Sequence, residues 1–177
     1  MQTFRLIPYP VDSLPKIDII GEISRTENQL SIRYKVTGDI DQISLPPSST
    51  SPSRKDGLWK ATCFEFFIAI PDQPQYWEFN MSPSGDWNVY IMDEYRRVGF
   101  REEISIKQIQ FEVWKEASEF FLNANVGLNP IIHHDDTLNV GITAVIQTKD
   151  KLESYWALAH PGLQADFHLR EGFLIHT

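Results

Sequence analysis

Two acids and an amide are the residues best placed for chemistry. Glu65 lies in Cys63-Phe64-Glu65-Phe66-Phe67-Ile68, and Glu78 and Asn80 lie in Tyr76-Trp77-Glu78-Phe79-Asn80-Met81. In the first segment Phe64, Phe66 and Ile68 share one parity, and in the second Trp77, Phe79 and Met81 do. The acids and the amide fall on the other parity. If the two segments pair as a hairpin, Glu65, Glu78 and Asn80 occupy one face of a sheet. Carboxylates and an amide beside aromatic rings suit a polar ligand with flat apolar faces. Sugars fit that description, since rings stack on their C–H faces and the polar groups bond their hydroxyls. The plain alternative is that these side chains form the solvated face of a half-exposed sheet.

Other chemistries have less to stand on. Glu65 and Glu78 could serve as the acid and base of a small glycoside-acting enzyme, because that reaction needs two carboxyl groups across a cleft. There is no nucleophile elbow, phosphate loop, dinucleotide fingerprint or zinc-protease helix. Cys63 shares the parity of Glu65, and a neighbouring carboxylate raises a thiol's pKa instead of activating it. Asp166 and His168, two apart, with His160 just before them, could hold a divalent ion. His133-His134 with Asp135-Asp136 is a weaker set, since adjacent strand residues point to opposite faces.

The elements that must position these groups read as strands. Period-two alternation predicts strands near 30–36, 63–70, 76–81, 86–92, 120–127, 138–147 and 152–159. Phe64, Phe66, Trp77, Phe79, Ile142 and Ala144 are the expected core. Between Ile104 and Trp114 the parity changes, which one extra residue in a strand, a bulge, would produce. Turn signals such as Thr37-Gly38-Asp39 and Ser82-Pro83-Ser84-Gly85-Asp86 separate the runs, and no segment carries a sustained helical stripe. Strands at this spacing without intervening helices indicate an all-β fold, an antiparallel sandwich or barrel. The Pro- and Ser-rich stretch 46–55 reads as a mobile surface loop.

The chain has 177 residues, one domain by length, and expectation places a single domain over 1–177. Lys plus Arg is 16 against Asp plus Glu 24, a net charge of −8 that disfavours nucleic acid and anionic membranes as partners. The single cysteine excludes an internal disulfide framework and a zinc ribbon. No run approaches the roughly 18 apolar residues of a membrane helix, and no signal peptide pattern opens the chain. The expected location is the cytoplasm.

One family resemblance emerges from these residues. Trp59 with Cys63-Phe64-Glu65, then Glu78-Phe79-Asn80, Ser82-Pro83, Gly85-Asp86-Trp87 and Tyr95-Arg96, resembles the DOMON-like superfamily. The branch is that of bacterial single-domain proteins grouped with family 9 carbohydrate-binding modules. A second block agrees: Tyr155-Trp156-Ala157-Leu158, His160-Pro161 and Asp166-Phe167-His168. The resemblance implies an antiparallel β-sandwich and non-catalytic recognition of a small carbohydrate or polyol on one sheet face. It implies Glu65, Glu78, Asn80, Trp87 and Arg96 as ligand-binding residues, with Trp156 and His160 beside them. Trp87, joined by Trp156, would stack on the ligand. No cofactor is needed for that role. Haem is the wider superfamily's other ligand, and Met81 or Met92 with His160 or His168 would be its candidate axial pair. A further alternative is a structural module that binds a protein by an exposed sheet edge.

Overall fold

A computed structural model describes residues 1–11, 13–96 and 100–177. Twelve strands follow one another: β1 (Gln2–Pro8), β2 (Ile17–Thr26), β3 (Gln29–Gly38), β4 (Cys63–Ala69), β5 (Tyr76–Met81) and β6 (Trp87–Met92), then β7 (Arg101–Glu102), β8 (Gln110–Glu116), β9 (Glu119–Gly127), β10 (Asn139–Gln147), β11 (Glu153–Ala157) and β12 (Ile175–His176). Among the described residues only single turns of 3-10 helix interrupt them, at Ile40–Gln42, Leu58–Lys60 and Arg170–Gly172. All seven expected strands are present to within two residues at each end.

The strands form two antiparallel layers joined through β1. One layer runs β1-β2-β3-β9-β8 and the other β7-β6-β5-β4-β10-β11-β1, with β12 also on β10. The first part of β1 pairs with β2, and its last residues, Ile7 and Pro8, pair with β11. The two layers face each other. Tyr34 on β3 lies 5.1 Å from Phe64 on β4, and Phe64 stacks on Phe120 of β9 at 5.3 Å. The Tyr34 hydroxyl donates to the Glu65 carbonyl across the gap at 2.7 Å. Every residue of the expected core is buried, and Phe66 stacks on Phe79 at 4.4 Å.

The pattern hid some elements for physical reasons. In β2 the inward parity is Ile19, Gly21, Ile23, so an apolar side chain is missing where one is expected. A Cβ on Gly21 would sit 2.3 Å from the Phe4 ring and 2.0 Å from the Arg33 carbonyl. Phe4 fills the space that the glycine leaves. The parity change near Ile104 to Trp114 is no bulge: residues 103–109 are a crossover from one layer to the other. Ile106 and Ile109 seal the core on the way, whereas Ile104 is exposed. The parity resets because the strand ends.

The stretch 46–55, expected to be mobile, is tied down at its end. Ser49 N–H donates to the Ser84 carbonyl, and Arg54 makes a parallel bridge with Trp87. The Arg54 guanidinium lies 4.4 Å over the Trp87 ring and donates to Asn88 Oδ1 and to the Glu103 carbonyl. Lys55 pairs with Asp86 at 2.9 Å. Proline and serine kept this stretch out of the sheet, but the two cations beyond them found partners.

Candidate functional site

The outward face of β4, β5 and β6 carries the site, and it is not a wet face. All seven residues of β4 are buried, as are all six of β5 and of β6. A strand buried on both sides needs a cover on each. Here the cover is the chain from about residue 158 to 174, together with the turn at Trp59 and the ring of Phe100. Arg170 pins this cover by donating to the carbonyls of Gln73 and Ile70. Phe173 lies against Gly141 of β10, where a Cβ would come within 2.6 Å of its ring.

The register brings the polar residues together. Glu65 stands opposite Asn80 on one side and Thr143 on the other, and Phe67 stands opposite Glu78. The two acids are therefore diagonal neighbours on adjacent strands. Thr143 Oγ1 donates to Glu65 Oε2 at 3.2 Å, and Asn80 Nδ2 donates to Glu78 Oε1 at 2.7 Å. Glu65 Oε1 is buried with no partner among the described residues. Glu78 Oε2 stands 4.0 Å from Nε2 of His168, beyond hydrogen-bond reach.

Burial sets the charge states. Glu65 is 2% exposed. Its carboxyl is pushed well above the usual range, first by desolvation and then by the charge of Glu78. Glu78 is pushed up to about 7 by desolvation, against the Asn80 hydrogen bond and the Arg96 charge. His168 is pulled down to about 4 by burial and then by Arg96, so its imidazole is neutral. Burial, Glu65 and Glu78 hold the Cys63 thiol protonated. The floor thus carries one acid held well above the usual carboxylate range, one acid poised near neutrality and one neutral imidazole.

Above this floor lies a cavity of about 540 Å³, within the range of small-molecule sites. Trp59, Phe67, Phe100, Tyr155 and Phe167 line it along with Glu65, Glu78, Arg96 and His168. Its walls brace one another. Trp59 meets Tyr90 edge-on at 5.5 Å, Tyr90 stacks on Phe100 at 4.6 Å, and Tyr155 meets Phe167 at 6.0 Å. Arg96 bonds Asp166 at 3.1 Å, and Asp166 accepts from the Tyr95 hydroxyl and the His168 amide. These bonds stitch the turn after β6 to the covering segment. The arrangement can hold a polar ring between aromatic faces and read its hydroxyls from below.

No family model matches this sequence, and no curated protein does. Solved structures do share its architecture. A candidate carbohydrate-binding protein from Bacteroides uniformis superposes with a TM-score of 0.69 at 14% identity, over 97% of this chain and 83% of that one. A family 9 carbohydrate-binding module from Caldicellulosiruptor kristjanssonii, solved with cellotriose, gives 0.50 at 9% identity, over 87% and 71%. The fold is shared with carbohydrate-binding modules. At these identities the likeness concerns the fold alone.

Of the seven residues expected to bind, Glu65, Glu78 and Arg96 line this cavity, and Asn80 braces Glu78 beside it. Trp87 does not reach it. Its parity is that of Val89 and Ile91, so the indole sits between the layers beneath Arg54. Trp156 is likewise in the inter-layer core, with Nε1 donating to Ser154 Oγ at 2.9 Å. Neither ring is available to stack on a ligand here. His160 lies elsewhere, against Tyr9 at 5.2 Å, with Nε2 at 2.9 Å from the Ile7 carbonyl. Of the rings that line the cavity, Trp59, Tyr155 and Phe167 are half-buried, Phe67 is buried and Phe100 exposed. Tyr155 could have been found by parity, because it faces away from Trp156. Trp59 and Phe167 lie outside regular strands, where parity says nothing.

The metal and haem alternatives do not fit the residues present. Among the described residues no three of His, Cys, Asp and Glu are grouped to hold an ion. Asp166 spends its oxygens on Arg96, Tyr95 and the His168 amide. For haem, Met81 is sealed in the core, and His160 lies outside the cavity. Met92 and His168 remain. His168 has Nδ1 bonded to Tyr76 at 2.9 Å and Nε2 turned to Glu78. An iron ligand would have to be taken from that pair.

Proposed function

We propose that the chain is a non-catalytic binding protein of DOMON-like type for a small carbohydrate, held in the aromatic-walled cavity over β4 and β5. The observation that carries this reading is Glu65 Oε1, a buried oxygen without a hydrogen-bond partner among the described residues, on a residue that lines the cavity. A buried polar atom left unpaired costs about 1–3 kcal/mol, and a ligand hydroxyl, which both donates and accepts, recovers it in either protonation state of the acid. Trp59 and Tyr155 supply flat apolar walls, and Glu78, Arg96 and His168 fix orientation. The shared fold with sugar-binding modules agrees with this role. Calorimetric titration against mono- and disaccharides tests it. The parent should bind at least one of them, and Glu65→Gln should bind it about ten- to a hundredfold more weakly. Equal binding by both proteins would remove Glu65 from the site.

A second reading has one observation in its favour. Glu65, held well above the usual carboxylate range, beside a Glu78 pushed up to about 7 resembles the pairing of an acid and a base. Turnover of a chromogenic glycoside, lost in Glu78→Gln, would establish that enzyme; its absence would leave a binding protein.

A further inference from the structure

We propose that the ligand carries a protonated amine, an amino sugar, with its ammonium group seated between Glu65 Oε1 and Glu78 Oε2. This inference rests on the carbohydrate reading and narrows its substrate class. Two buried acids sit diagonally on adjacent strands and line the same cavity, each with one oxygen, Glu65 Oε1 and Glu78 Oε2, that no hydrogen bond among the described residues holds. Their other oxygens are already satisfied by Thr143 and Asn80. What the floor lacks is a positive charge.

Among the described residues the protein's own cations do not supply it. Arg96 is the cation beside Glu78, and its guanidinium is bonded to Asp166 on the covering segment. Lys60 lines the cavity from an exposed position, as does a third acid, Glu153. His168 is neutral, and Cys63, Tyr34, Tyr76 and Tyr155, which also lie near the acids, are held protonated by burial. The acids therefore keep a proton where a partner would otherwise sit.

An ammonium group suits the place in three ways. It has three donors and no acceptor, matching a pair of open carboxylate oxygens. It lets Glu65 ionise by supplying the countercharge that burial withheld. The faces of Phe67, Trp59 and Tyr155 around the cavity are attractive to a cation as well as to a sugar face. Binding exchanges one positive charge for another: the ammonium enters as a proton held by the acids leaves to solvent.

Calorimetry at neutral pH in two buffers of different ionisation heat reads both affinity and proton release. The probes are D-glucosamine, D-glucose, N-acetyl-D-glucosamine, whose amine is capped and neutral, and cyclohexylamine, which is not a sugar. We expect D-glucosamine to bind about tenfold or more tighter than the two neutral sugars, with proton release that they lack. Glu65→Gln, which keeps the shape of the side chain, should bring D-glucosamine and D-glucose to one affinity. Neutral sugars binding as tightly as D-glucosamine would overturn the ammonium seat and leave the carbohydrate reading standing. Cyclohexylamine binding as tightly as D-glucosamine would keep the seat and overturn the carbohydrate reading. Binding of none of the four would overturn both.

Discussion

Tyr76 and His168 share a 2.9 Å hydrogen bond between the phenol oxygen and Nδ1 of the ring. The phenol keeps its proton at neutral pH, because burial pushes its pKa up to about 12, and it is placed to donate that proton to the ring. Nδ1 is then the acceptor, and the neutral ring carries its proton on Nε2, facing Glu78. Nitrogen-detected NMR near neutral pH should show the Nε2–H tautomer. Tyr76→Phe should weaken that preference and raise the pKa of His168, because the donor that favours the neutral ring is gone. An Nδ1–H ring in the parent protein would reverse the direction of this relay.

Glu78 and His168 should pull the stability profile in opposite directions. Glu78 titrates near 7 in the fold against an ordinary 4.5, so the folded state holds a proton that the unfolded chain releases. That contribution makes stability fall as pH rises between those values. His168 titrates near 4 in the fold against an ordinary 6.5, so the unfolded chain takes up a proton that the fold refuses. That contribution makes stability rise with pH across its own range. Urea unfolding at several pH values between 4.5 and 6.5 separates them. Relative to the parent, Glu78→Gln should tilt the profile upward with pH and His168→Gln downward. If both variants keep the parent's slope, neither group is perturbed as described.

Trp87 belongs to the core and not to the site. Trp87→Ala should cost about 3–5 kcal/mol of folding stability, the cost typical of removing a large buried ring. Phe79→Ala should cost a similar amount, since Phe79 is fully buried and stacked on Phe66. Protein that remains folded should bind ligand as the parent does. A Trp87→Ala variant of unchanged stability and impaired binding would return the indole to the ligand.

Trypsin should be slow at Arg54. Cleavage needs the side chain in the protease pocket, and here the guanidinium is stacked on Trp87 and bonded to Asn88 and Glu103. Lys107, exposed in the crossover loop, should be cut sooner. Prompt cleavage at Arg54 would restore the picture of a mobile loop over 46–55.

Alternation made the central strands legible, because β4, β5 and β10 each present one apolar face to the other layer. It also placed Glu65, Glu78 and Asn80 on one face before any contact was known. Alternation could not tell that this face is covered, because the cover is a segment without period, from Leu158 to Leu174. For the same reason His168 and Phe167 read as loop residues. Trp87 and Trp156 were attractive as stacking rings by type, yet their parity with Val89 and with Ser154 already turned them inward. Gly21 shows the opposite failure: a core position was invisible because the ring that fills it belongs to Phe4.

The most direct test of the account is a crystal structure of the protein with the tightest-binding sugar found by titration. The ligand should lie between Trp59 and Tyr155, with a donor group within hydrogen-bond distance of Glu65 Oε1. Ligand density on the other layer, for instance beside Trp114, with the cavity over Glu65 and Glu78 left to solvent, would contradict it.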